Sequence, residues 1–115
     1  MTQPILTAIV RHPHRDAAVI VLDGPLDLGT AGDLDRLVHN EIRAGHHRVV
    51  VDLVNVAFCD STGVGALLRA HRAATAGGGW LRIGGVSDQV RRVLQGTNID
   101  RVLRLFPTAD AALGG

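Results

Sequence analysis

The sequence predicts a single α/β domain: helices packed on a four- or five-stranded, mixed and mostly parallel sheet that opens with a β-hairpin. Three observations carry this prediction. Val49 to Leu53 is a β-branched apolar run of the kind that buries both faces, and so belongs in the middle of a sheet. After two opening strand-like runs, helical patterns alternate with strand patterns, which implies parallel strands joined by right-handed crossovers. A length of 115 residues with 46% apolar and 20% charged side chains suits one domain, 1–115, with a sizeable core.

Taken in order, Ile5 to Val10 and Ala17 to Leu22 are apolar runs separated by Arg11-His12-Pro13-His14-Arg15-Asp16, whose proline suits the turn of a hairpin. Asp23-Gly24-Pro25 ends the second strand. Thr30-Ala31-Gly32-Asp33 resembles a capping box with Asp in place of Glu, and predicts a helix to about Ala44 with Leu34, Leu37, Val38 and Ile42 on its apolar face. Gly45 stands where a left-handed residue ends such a helix. The central strand follows, and then a second helix with Val64, Leu67, Leu68 and His71 at i, i+3, i+4 and i+7, alanines filling the positions between. Gly77-Gly78-Gly79 breaks that pattern and Trp80 to Ile83 reads as a short strand. Ser87 caps another helix with Val90, Val93 and Leu94 on its apolar edge and Gly96 as its stop. Val102 to Phe106 is an edge strand ended by Pro107, and Thr108 caps a short helix through Leu113.

Composition excludes several functions. A net charge of +1 without a basic block gives no electrostatic footprint for nucleic acid or an anionic membrane. All twelve cationic side chains are Arg, so P-loop, Schiff-base, kinase and receiver-domain lysines are impossible. A single Cys makes no internal disulfide, the first residues do not read as a secretion leader, and no apolar run approaches the roughly 20 residues of a membrane span. The expected compartment is the cytoplasm, and no cofactor is implied.

The chemistry concentrates in Asp60-Ser61-Thr62-Gly63, on the loop between the central strand and the second helix. A hydroxyl just before an apolar helical pattern is a helix-start signal, so Ser61 reads as the N-cap, beside a carboxylate at the positive end of the helix dipole. Capping alone explains a Ser or Thr there. Gly63 and Gly65 cost the helix about 1 kcal/mol each relative to Ala, which points to a close approach, either internal or by a docked partner. On the partner alternative, Gly63→Arg is expected to block docking without unfolding the chain. Asp27 serves as a cap or Asx-turn before the first helix, or as a neighbour of Ser61. Cys59 reads as a small buried residue. His12 with His14 and His46 with His47 fall in predicted loops without a Cys or Glu set to complete a metal template, and so read as solvated histidines; no metal ligand is assigned. A nucleophilic role for Ser61 in a hydrolase is weak, because no His is obviously placed as its base and the context is not a nucleophile elbow.

The stretch Phe58 to Ala74, FCDSTGVGALLRAHRAA, resembles the signature of the STAS domain, the family of sulfate transporters and anti-sigma factor antagonists. The resemblance extends to Gly24-Pro25-Leu26-Asp27 with Thr30-Ala31, to Val90-Arg91-Arg92-Val93-Leu94 with Gly96, and to Asp100-Arg101-Val102 and Phe106-Pro107-Thr108, so it covers nearly the whole chain. It implies a STAS-type fold and a binding module rather than an enzyme. In the bacterial antagonists the Ser of this motif is phosphorylated by a GHKL-type anti-sigma factor kinase, and the unmodified form binds that kinase and frees the sigma factor. Carried over, the resemblance implies Ser61 as phosphoacceptor, Asp27, Asp60, Thr62, Gly63 and Gly65 as partner-binding residues, and a phosphatase that resets the switch. A phosphorylation-independent STAS scaffold in a transport or signalling assembly is the alternative. Pro25 stands where free-standing antagonists commonly carry a carboxylate.

Overall fold

The computed structural model describes residues 5–115. A five-stranded sheet has the spatial order β1 (Thr7–His14), β2 (Ala17–Asp23), β3 (Arg48–Asn55), β4 (Trp80–Val86), β5 (Arg104–Phe106). β1 pairs antiparallel with β2 and every later pairing is parallel, as the hairpin-then-alternation pattern predicts. The hairpin turn is shorter than the sequence suggests, because β1 continues through Pro13 to His14. β1 is an edge strand, and its register with β2 breaks between Arg11 and His14, so the missing proline N–H costs no central ladder bond.

Three helices, α1 (Ala31–Arg43), α2 (Ser61–Ala76) and α3 (Asp88–Gly96), cover one face of the sheet, and a short α4 (Ala109–Gly114) covers part of the other. The central strand divides its residues accordingly. Val49, Val51 and Leu53 join Leu34, Val38, Leu67, Val90 and Leu94 in the main core, while Val50 meets Ala109 and Ala112 on the reverse face. The buried face of α2 is broader than its i, i+3, i+4 pattern: Ala66, Ala70 and Ala74 are buried beside Val64 and Leu67, whereas Leu68 and His71 are only half-buried. The alanines are contact residues that let α2 lie close to the sheet and to α1.

Several helix ends match the sequence. Ser87 Oγ accepts from Val90 N, and Thr108 Oγ1 accepts from Ala111 N. At the end of α1, Gly45 lies at φ 96, where a side chain is strained. The N–H of Gly45 bonds the Ile42 carbonyl and that of His46 bonds the Glu41 carbonyl, a Schellman closure that turns the chain back over the last turn. The start of α1 differs from the capping-box expectation. Thr30 is buried and makes no side-chain cap; its Oγ1 donates to the Pro25 carbonyl at 2.8 Å and accepts from Asp27 N at 2.9 Å, while Asp33 pairs with Arg36. Closing the preceding loop outweighs capping the helix here. The edge strand at the C-terminus is also shorter than Val102 to Phe106, because a 3-10 turn over Ile99–Arg101 runs into it.

Candidate functional site

β2 and β3 run side by side, so the loops that leave their C-terminal ends meet. An isolated parallel bridge joins Leu26 to Cys59: Leu26 N donates to the Phe58 carbonyl at 2.9 Å, and Asp60 N to the Leu26 carbonyl at 3.3 Å. This short zipper brings the Asp27 loop against the start of α2, as the sequence predicts. Asp27 is occupied locally, its Oδ1 accepting from Gly29 N at 3.0 Å and its carbonyl from Ala31 N at 2.8 Å. That is the Asx-turn reading of this residue.

The N-cap of α2 is Asp60, not Ser61. Asp60 has extended backbone angles, and its Oδ1 accepts from Thr62 N at 2.9 Å, Gly63 N at 3.0 Å and Thr62 Oγ1 at 2.5 Å. Asp and Ser are both good cap residues, and the carboxylate prevails because it accepts from two amides and a hydroxyl at once. The Thr62 hydroxyl, followed by the Gly63 amide, holds the Asp60 carboxyl below its ordinary range. Ser61 is displaced to the first helical position, where its side chain is exposed and, among the described residues, makes no hydrogen bond. Thr62 is half-buried and its hydroxyl is committed. Among the described residues, the Thr62 hydroxyl has a partner and that of Ser61 has none.

The two glycines also separate. Gly63 is buried, and a Cβ there would collide with the Leu26 carbonyl and lie 2.9 Å from Cys59 Sγ. Its close approach is internal, so Gly63 is not a surface for a partner, and Gly63→Arg breaks packing rather than docking. A Cβ on Gly65 meets only the tip of Arg69, at 3.3 Å, so this position is open. Cys59 is buried under the same loop; burial, with a smaller contribution from the Asp60 charge, pushes its thiol up to about 11 and keeps it protonated at neutral pH.

Two residues of the site were not singled out from sequence. Leu28 and Phe58, on the loops that flank Asp60, are 78% and 43% exposed. Both stand on the two loops that the Leu26–Cys59 bridge joins, and both face solvent. No sequence signal separates them from core residues, since an apolar residue in a loop is equally a candidate for burial.

The STAS-domain family model matches residues 8–112. The chain belongs to the STAS family. Over 92 residues, 80% of this chain and 85% of the relative, the STAS domain described here is 29% identical to the anti-sigma-B factor antagonist of Staphylococcus epidermidis. The crystal structure of an anti-sigma factor antagonist from Mycobacterium paratuberculosis superposes with a TM-score of 0.83 at 26% identity, covering 95% of this chain and 92% of that one. The Bacillus cell fate determinant SpoIIAA in its phosphorylated form shares the fold, with a TM-score of 0.71 at 23% identity over 94% of this chain and 97% of that one. No helix among the described residues is long and apolar enough to cross a membrane.

Proposed function

We propose that this STAS domain is an anti-sigma factor antagonist whose binding to a GHKL-type anti-sigma kinase is switched off by phosphorylation of Ser61 and restored by a phosphatase. The observation that carries this reading is the division of labour at the start of α2. Asp60 caps the helix and ties up Thr62, which leaves Ser61 exposed and chemically free at the rim. The antagonist names of the relatives supply the class of partner. The role we propose is binding, in keeping with the regulatory antagonists that this chain resembles.

Phosphorylation at this place changes the surface and spares the fold. The Thr62 and Gly63 amides already serve Asp60, so a Ser61 phosphate projects into solvent. The helix dipole favours an anion there by about 0.3 to 1 kcal/mol, and the adjacent Asp60 carboxylate opposes it. The modified domain therefore keeps its melting temperature within a few degrees. A partner surface built on Leu28, Phe58, Gly65 and a neutral hydroxyl meets a dianion without compensating groups, and an uncompensated buried charge costs several kcal/mol. Even about 2.7 kcal/mol is a hundredfold in affinity.

Incubation with ATP and the cognate kinase, read by intact mass and a phosphopeptide map, tests the proposal. The expected result is one phosphate on Ser61, none on Ser61→Ala that still binds the kinase, and roughly hundredfold weaker binding of Ser61→Asp. Phosphate on Thr62 overturns the site assignment, and no modification by the kinase it binds leaves a phosphorylation-independent STAS scaffold.

A further inference from the structure

At the opposite end of the sheet three side chains from three different elements converge on one point. His12 Nε2, on β1, lies 2.7 Å from Glu41 Oε2, and His46 Nδ1, in the loop before β3, lies 2.8 Å from the same oxygen. The two imidazoles stack at 4.2 Å between centroids with planes 29° apart. All three ligand atoms fall within 4.8 Å of one another. We propose that His12, Glu41 and His46 form a binding site for a divalent transition metal, zinc(II) by preference, with water completing the coordination.

The backbone builds this cluster before any metal arrives. The Schellman closure at Gly45 bonds His46 N to the Glu41 carbonyl and so folds the His46 ring back over the Glu41 side chain. The register break between Arg11 and His14 covers His12, and bulges of this kind re-aim a side chain out of the regular alternation. Two imidazoles and one carboxylate are the donor set of many zinc sites that keep a water ligand. Hard oxygen-seeking cations such as magnesium and calcium are poorly served by two nitrogens. Access is graded: the side chains of His12, Glu41 and His46 are 44%, 14% and 20% exposed, enough for an ion to reach Glu41 from solvent while the carboxylate stays partly shielded.

Without metal, each imidazole donates its N–H to Glu41 Oε2. Binding needs the lone pairs instead, so His12 would present Nε2 to the ion with its N–H on Nδ1, and His46 would present Nδ1 with its N–H on Nε2. The N···O separations open by about half an ångström to reach the ligand spacing of a tetrahedral ion with bonds near 2.0 to 2.1 Å. The bound ion ties the edge hairpin to α1 and to the start of β3. It does not depend on the Ser61 reading: seven residues of β2 separate the two ends of the sheet by roughly 20 Å.

The test is zinc titration of tag-free protein by calorimetry, with nitrogen NMR of the imidazoles and the visible spectrum of the cobalt(II) form. One equivalent should bind, raise the melting temperature by several degrees, shift the ring nitrogens of His12 and His46 while leaving those of His14, His39 and His71 in place, and give the strong bands of a tetrahedral cobalt site. His12→Ala, His46→Ala and Glu41→Gln should each weaken binding at least tenfold, and His14→Ala should not. Because the wild-type NMR needs no variant, misfolding cannot mask the answer. Sub-stoichiometric or millimolar binding, unmoved His12 and His46 resonances, or a folded Glu41→Gln variant with wild-type affinity overturns the proposal.

Discussion

The two ends of the sheet hold their polar groups in opposite ways. At the Ser61 end the backbone itself is interlocked: the Leu26–Cys59 bridge, the Asp60 cap and the buried Gly63 fix the loop, and one hydroxyl is left free on a rigid rim. At the His12 end the backbone is settled independently by a Schellman turn and an edge-strand bulge, and the contacts that matter are side chain to side chain. Substitutions within the interlocked loop, at Gly63 above all, therefore act through packing. At the second end they act through ligand chemistry and leave the fold alone.

The strongest test of that contrast is Gly63→Arg. Its Cβ has no room beside the Leu26 carbonyl, so the variant should lose about 3 kcal/mol or more, read as a lower urea midpoint at unchanged slope. Gly65→Arg, two residues on, should fold normally while weakening kinase binding, because a Cβ there meets only the end of the Arg69 side chain and no backbone. A stable Gly63→Arg domain would dissolve the idea of an interlocked loop.

A smaller effect is expected from the cap. The Asp60 carboxyl is lowered in the folded state, so its contribution is fully present above the ordinary carboxylate range and is lost as pH falls through the folded value. Asp60→Asn should melt a few degrees lower than wild type at neutral pH, and the gap should close on acidification below about pH 4. A gap that stays constant with pH would mean that the negative charge plays no part in the cap.

The smallest effects separate the ends most sharply. Without metal, Glu41→Gln should cost less than about 1 kcal/mol, because an amide oxygen can still accept from the two imidazoles. Ser61→Ala should change stability by no more than about 0.5 kcal/mol, because Ser61 caps nothing. A loss above 1 kcal/mol in chemical denaturation of Ser61→Ala would return the capping role to that hydroxyl.

What the sequence by itself determined is local. The β-branched run of the central strand, the caps at Ser87 and Thr108 and the left-handed Gly45 are decided within a few residues by backbone sterics and the nearest hydrogen-bond donors, so a linear reading finds them. The Asp60 to Gly63 motif is legible for the same reason, down to its place after the central strand. Which of two adjacent cap residues takes the first-turn amides was not legible, since Asp60 and Ser61 compete within one residue and a single register choice settles it. Thr30 went to the Pro25 carbonyl because a loop had to close, a demand that no helix pattern announces. The Gly63 contact, the exposure of Leu28 and Phe58, and the meeting of His12 with Glu41 across 29 residues all belong to the tertiary structure. They depend on which strands lie side by side and where an edge strand slips register, and those are properties of the packed sheet rather than of any short stretch of chain.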